Sequence, residues 1–343
     1  MNEIHNNQIY STSPLISVII IAYMRKKFLR RAIESVLKQR VDGYSIEILV
    51  VKNFEDSDID SFILENGVIG ISSKYVELGE KLSEGIEMSR GDIISFLEDD
   101  DYFLPGKLKK VADTFLSDAE IVYLHNSALE VIEDGDLTGR IIMSVNNELT
   151  FEGDMSFSQL MELLKKGAHG NNSCISIKRE LASILSPRLA RLNVTSDGFI
   201  LLSALELKKK LKFSVETLTA CTVHESFTHL KITDYDNYVL ASARKASIMY
   251  EDKKKGRQIL ASESDNRTVI LAADYIELKE KLNLNLFSTN KLITVRDVAK
   301  YLYFSLYGRR YSGIFGAVIH AFSLLSKSGA QKITYIFYKT SYL

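Results

Sequence analysis

"DIISFLEDDDYFLPGKL" (residues 92–108) sets an apolar, strand-like run directly against four consecutive carboxylates, Glu98, Asp99, Asp100 and Asp101. Repulsion between neighbouring carboxylates is offset by water, positive side chains or a bound cation, so the run is either a solvated turn or a metal site. What precedes it decides where it lies. "PLISVIIIAY" (14–23) is β-branched and nearly continuously apolar, as expected of a strand covered on both faces. "KKFLRRAIESVLKQ" (26–39) follows, with Phe28, Leu29, Ala32, Ile33, Val36 and Leu37 at helical spacing and Arg30, Arg31, Glu34 and Lys38 opposite. "SIEILVVKN" (45–53) is the next strand, and strand, helix, strand predicts a right-handed crossover and a parallel sheet. "GVIGISS" (67–73) reads as a third strand, "KLSEGIEMSRG" (81–91) as a helix ended by Gly91, and "DIISFLE" (92–98) as a fourth strand. The acidic run therefore sits at a strand's carboxyl end, where open α/β sheets gather their ligands.

Beyond it, "PGKLKKVADTFL" (105–116) starts a helix with Pro105 in its first turn, and "EIVYLHNSALEVI" (120–132) is a strand. Residues 134–152 are polar and read as a hairpin or loop. "SFSQLMELLKKG" (156–167) and "SDGFILLSALELKKKL" (196–211) are helical, with strand-like "NNSCISIK" (171–178) between them. After about His229 the pattern is mainly helical, which divides the chain into 1–230 and 231–343. The fold class is α/β, a mostly parallel sheet flanked by helices with a helical C-terminal region.

Of 343 residues 46% are hydrophobic and 25% charged, enough for a substantial core. A net charge of -1 gives no global footprint for nucleic acid. Cys174 and Cys221 are the only cysteines, which suggests neither a disulfide scaffold nor a zinc cluster and fits a reducing cytoplasm. The polar N-terminus "MNEIHNNQIYSTSP" lacks the basic and apolar segments of a signal peptide. No window reaches the roughly 18 consecutive apolar residues of a spanning helix. Residues 298–343 hold six Lys or Arg, eleven Tyr or Phe and no Asp or Glu. That pairing suits either an anionic membrane surface or a helix packed on the catalytic domain or a second subunit.

Taken in order, these motifs resemble family 2 glycosyltransferases of the GT-A fold over roughly the first 230 residues. "SVIIIAYMRKKFLRRAIESVLKQ" is similar to the family's opening strand and nucleotide turn, and "FLEDDDYFLPGKL" to its acidic motif, with Glu98 in place of the usual first aspartate. The resemblance implies a metal-dependent, inverting transfer of sugar from a nucleoside-diphosphate donor to a hydroxyl of a saccharide or lipid-linked acceptor. It places Ala22, Tyr23, Arg25, Asn53, Lys81 and Asp99 at the donor. Glu98, Asp100 and His224 would be ligands of Mg²⁺ or Mn²⁺, oxygen-seeking cations that neutralise a departing diphosphate. "NVTSDGFILLSAL" (193–205) is similar to the family's later acidic motif, which makes Asp197 the general base. Thr195, Ser196 or Asp197 equally suits a helix cap. The chain departs from the family where "VVDDGS" is replaced by "VVKNFEDSD", so Lys52 and Asn53 stand for carboxylates, and where "KLSEG" offers Lys81 without the usual arginine. A nucleotidyltransferase and a non-catalytic sugar-nucleotide binding protein are the rival readings, the first weakened by the absence of glycine from "IIIAYMRKKF".

Overall fold

A computed structural model of the chain describes residues 14–23, 26–132, 137–223, 232–289, 292–308 and 311–341. Arg25 and His224 lie outside the described residues. The first half alternates strand and helix as β1 (Leu15–Ala22), α1 (Lys26–Leu37), β2 (Ser45–Lys52), α2 (Ser57–Glu65), β3 (Ile69–Ser72), α3 (Leu78–Met88) and β4 (Ile93–Glu98), with α2 an element that the sequence pattern does not predict. Then come β5 (Tyr102–Phe103), α4 (Lys107–Ser117), β6 (Ile121–Ile132), β7 (Leu137–Ile142), β8 (Leu149–Glu152) and α5 (Phe157–Lys165). A 3-10 turn (Asn172–Cys174) leads into β9 (Ile175–Lys178), α6 (Arg179–Leu189), α7 (Asp197–Glu206) and β10 (Lys210–Val223). The C-terminal region is helical, with α8 (Tyr235–Glu263), α9 (Arg267–Phe287), α10 (Val295–Tyr307), α11 (Tyr311–Ser323) and α12 (Lys327–Ser341).

Among the described residues the sheet runs β3-β2-β1-β4-β9-β6-β10-β5, with β7 on β6 and β8 on β10. The β3-β2-β1-β4 half is parallel, β10 is parallel to β6, and β9 joins the halves antiparallel to both neighbours. β1 shows why its sequence is continuously apolar. Ile19 and Ile21 enter one core cluster with Leu82, Leu185 and Ile200, whereas Ile16, Val18, Ile20 and Ala22 enter another with Leu29, Ile33, Leu108 and Val111. Alternate residues thus point to opposite faces, and both faces are covered. The register sets Ala22 opposite Lys52 and Ile21 opposite Glu98, so the carboxyl ends of β1, β2 and β4 finish in one row.

The amino ends of the same strands are held by a buried carboxylate. Glu47 accepts from Ser17 Oγ at 2.5 Å, from Arg90 N at 2.6 Å and from Arg90 Nε at 3.1 Å. Gly91 N donates to Ser17 Oγ at 2.7 Å, and a Cβ on Gly91 would lie 2.4 Å from that oxygen. Gly91 is therefore required for close approach to β1 and does not end the helix, since α3 stops at Met88 with Ser89 as its cap. Two other boundaries differ from expectation. Pro105 precedes α4, whose cap is Gly106 at φ 86°, and α7 ends at Glu206 because Lys208 turns left-handed at φ 52° and "KL" opens β10.

Candidate active site

Where β1 ends, Tyr23 N donates to Asp99 Oδ2 at 2.7 Å, which ties the end of β1 to the end of β4. Lys81, from α3, has no exposed surface. A buried ammonium needs partners, and its Nζ donates to Ala22 O at 3.0 Å and Asn53 Oδ1 at 2.9 Å, 4.2 Å from the centre of the Tyr23 ring. Ala22, Tyr23, Asn53, Lys81 and Asp99 are thus brought together as one unit, with Lys81 beneath the surface. Lys52 points to the other face of the sheet, where Phe54 O and Asp60 hold its ammonium at 2.7 Å each.

The acidic run is divided among several supports. Glu98 Oε1 accepts from Asn172 Nδ2 at 3.0 Å, and Glu98 N donates to Ser173 Oγ at 2.9 Å. Asp99 has no exposed surface and Asp100 only 7%. Asp100 O accepts from Arg31 Nη2 at 2.7 Å, and the same nitrogen donates to Thr222 Oγ1 at 2.7 Å. Asp101 accepts from Asn171 Nδ2 at 2.8 Å, Ser173 Oγ at 2.7 Å and Thr222 N at 2.9 Å. Burial, and then the charge of Asp100, push the Asp101 carboxyl up to about 6 in spite of those donors. Asp101 is therefore tied into the framework by three donors. Beneath the run, Lys107 is fully buried and donates to Asn126 Oδ1, and burial pushes its ammonium down to about 8.

Among the described residues no group of three or more His, Cys, Asp or Glu is arranged to hold a metal ion. An all-protein cage is not what Mg²⁺ or Mn²⁺ chemistry demands, because one or two carboxylates suffice when substrate phosphates and water complete the shell. Glu98 and Asp100 are oxygen donors of the kind such cations take.

Asp197 is the first residue of α7, half-buried, and its carboxylate accepts from Gly198 N at 2.7 Å and Asn171 N at 3.1 Å. Ser196 makes no cap bond and instead donates from Oγ to Asn172 Oδ1 at 3.0 Å. Burial opposes the Asp197 charge, yet Lys253, His169 and the two backbone N–H groups outweigh it and hold the carboxyl below its ordinary range. A Cβ on Gly198 would come within 3.3 Å of the His169 ring, so that imidazole lies against the start of α7. His125 donates from Nε2 to Gly170 O at 2.9 Å, and burial pushes it down to about 3, which keeps it neutral.

The sequence reading did not assign a role to two adjacent residues that join these acidic motifs. Asn171 gives its N–H to Asp197 and its amide to Asp101, while Asn172 donates to Glu98 and accepts from Ser196. Asn171 holds φ 63° and ψ 116°, a sparsely populated conformation. The legible signal was "GNNS" before a strand, since Asn tolerates positive φ better than most residues.

Residues 17–182 match the family model of glycosyl transferase family 2. An uncharacterized glycosyltransferase of Haemophilus influenzae is 25% identical over 224 residues, 61% of this chain and 69% of that one. Another, from Rickettsia typhi, is 31% identical over 99 residues, and the match spans 28% of this chain and only 30% of that relative's length. The crystal structure of S. aureus TarS 1-349 aligns with a TM-score of 0.51 and 14% identity over 90% of each chain, which shows a shared fold. The same TarS fragment has been solved in complex with UDP-GlcNAc, with a TM-score of 0.51 and 15% identity over 90% of this chain and 91% of that one.

Proposed function

We infer that the chain, whose residues 17–182 match the family model of glycosyl transferase family 2, carries out a metal-dependent, inverting transfer of sugar from a nucleoside diphosphate to an acceptor hydroxyl. The observation that carries this is the joining of the Glu98–Asp101 run to the start of α7, through Asn171, which bonds Asp101 and Asp197, and Asn172, which bonds Glu98 and Ser196. Because Lys81 occupies Asn53 Oδ1, the amide nitrogen of Asn53 remains to donate to an acceptor on the base edge. Asp99, with no exposed surface, acts by fixing Tyr23, whose ring offers a face to the base. Mg²⁺ or Mn²⁺ at Asp100 and Glu98 would neutralise the diphosphate as it leaves. Asp197, ionised at neutral pH, takes the acceptor's proton as that oxygen attacks the anomeric carbon opposite the leaving group, and one displacement inverts the centre.

The test is calorimetric titration with nucleoside diphosphates, with and without Mn²⁺, together with sugar transfer to saccharide acceptors. Asp100→Ala is expected to abolish metal-dependent nucleotide binding. Asp197→Asn is expected to bind nucleotide normally and lose about 10²–10⁴-fold in transfer rate. Failure to bind any nucleoside diphosphate would sink the transferase reading, and unchanged behaviour of Asp197→Asn would favour a binding protein.

The same reading extends to an acceptor carried on lipid. Residues 298–343 carry no acid, and the outer side of α11 is apolar, with Phe315, Val318 and Phe322 at 47%, 59% and 38% exposure and Leu325 just beyond at 87%. Phe315 meets Phe337 of α12 edge to face at 4.9 Å, so the apolar surface continues onto the helix that bears exposed Lys332 and Lys339. This combination favours an anionic lipid surface. Among the described residues no helix is long and apolar enough to cross a membrane. Co-sedimentation with phosphatidylserine vesicles should exceed that with phosphatidylcholine and fall severalfold in Phe315→Asp/Leu325→Asp. Unchanged lipid binding, or a dimer dissolved by the same change, would overturn it.

A further inference from the structure

The turn that launches α7 is held from the C-terminal region. Asp252 of α8 is 2% exposed, and its carboxylate accepts four hydrogen bonds from three successive residues. Asn193 N donates to Oδ1 at 2.7 Å, while Val194 N at 3.2 Å, Thr195 N at 2.7 Å and Thr195 Oγ1 at 2.5 Å donate to Oδ2. The next residues of the chain are Ser196, bonded to Asn172, and Asp197. Lys255 Nζ donates to Asn193 Oδ1 at 3.0 Å, and Leu78 N of α3 donates to Asn193 O at 2.9 Å, so the turn is gripped from two sides.

A carboxylate buried in a helix face is strongly unfavourable unless donors satisfy it, and an apolar residue would hold two helices together as well or better. What a charged group provides here is a fixed geometry, since three successive N–H groups converging on one anion define both the position and the direction of the backbone. Lys253, the next residue of α8, lines a cavity of about 30 Å³ with Thr195, Gly198 and Phe199, at the start of α7. Among the described residues it makes no ion pair within 4 Å, and its charge is the leading favourable influence on the Asp197 carboxylate. The other groups that act on Asp197 are His169 and the backbone N–H of Gly198 and Asn171; His125 and Tyr123 on β6 are kept neutral by burial.

We propose that Asp252 and Lys253 are positioning residues for the transfer reaction: Asp252 fixes the turn that aims Asp197 at the acceptor, and Lys253 flanks the start of α7 across the cavity it lines with Thr195 and Gly198. The proposal rests on Asp197 being the base. It assigns part of the active site to the helical region that follows the sheet, so nucleotide binding and base placement are served by different parts of the chain.

The experiment measures donor KM, kcat and the pH profile of kcat for Asp252→Asn, Asp252→Glu, Lys253→Met, Lys253→Arg and Asp197→Asn, with thermal melting and nucleotide affinity as controls. Asp252→Asn is expected to lower kcat about ten- to a hundredfold with donor KM within about twofold, as for a misplaced catalytic group. Lys253→Met should move the acid limb of the kcat profile to higher pH, because the carboxylate loses its cation, and Lys253→Arg should restore it. A purely structural contact would lower the melting temperature and leave the limb where it is. Should Asp252→Asn fail to fold, the Lys253 pair still decides, since its charge can be removed at a half-buried site. Asp197→Asn inactive, with kcat of Asp252→Asn and the limb of Lys253→Met both unchanged, would overturn this proposal alone; an active Asp197→Asn would overturn the base assignment and this proposal with it.

Discussion

Asn171 concentrates at one residue what the two acidic motifs need from each other. Its backbone holds a conformation that costs about 1–3 kcal/mol, kept in place because N–H and amide reach opposite partners, Asp197 and Asp101. Replacement by glycine separates strain from function. Asn171→Gly relieves φ but removes the amide, so stability measured by urea denaturation should change by no more than about 1 kcal/mol while transfer falls at least tenfold. Asn171→Ala keeps the strain and loses the amide, so it should be the less stable of the two. A glycine variant with full activity would show that the bridge is only a turn. The place of Asp100 just after a strand and of Asp197 at a helix start was legible in the sequence from the apolar pattern beside each. Asn171 was not, because a positive φ and a bond to a carboxylate 70 residues away are properties of the folded neighbourhood.

Elements were legible wherever periodicity alone determines them, and their ends were not. β1 and α1 announce themselves by continuous and 3.6-spaced apolar residues, whereas α7 stops at Glu206 because Lys208 adopts φ 52°, which "LELKKKL" does not reveal. Gly91 has the sequence signature of a helix end, yet its role is to let α3's exit pass over Ser17. The joint it belongs to makes a prediction about β1, β2 and α3 together. Burial opposes the Glu47 charge, but Ser17 Oγ and Arg90 outweigh it and the carboxyl is lowered from its ordinary value of 4.5. The stability it contributes is therefore present above that value and lost as pH falls through the lower folded value. Glu47→Gln should cost about 1–3 kcal/mol at pH 7, by leaving buried donors poorly matched, and the deficit should shrink as pH drops below 4.5 and the wild-type carboxyl protonates. Urea midpoints at pH 7 and pH 3.5 check it; an equal deficit at both would mean that shape, not charge, holds the joint.

At the scale of the whole molecule, helical periodicity reveals that residues after 231 form helices but not what those helices cover. The core cluster containing Ile19 and Ile21 of β1 also contains Ile259, Leu260, Val269, Tyr275, Leu282, Tyr301 and Phe304. Phe157 of α5 packs against Tyr275, Phe304 and Tyr307, stacked on the last at 5.3 Å, and Gly256 lies against Phe199 of α7. Each buried side chain of this kind contributes about 1.5–3 kcal/mol, a large share of the 5–15 kcal/mol by which a typical protein is stable. Removal of residues 235–343 would also leave the N–H groups of Asn193, Val194 and Thr195 without the Asp252 carboxylate. A chain ending at residue 234 should therefore lack a cooperative thermal transition and expose apolar surface to dye, and transfer activity should be lost. A sharp transition in that shortened chain, with nucleotide binding intact, would show that the sheet folds by itself and that the helices after it are an attachment.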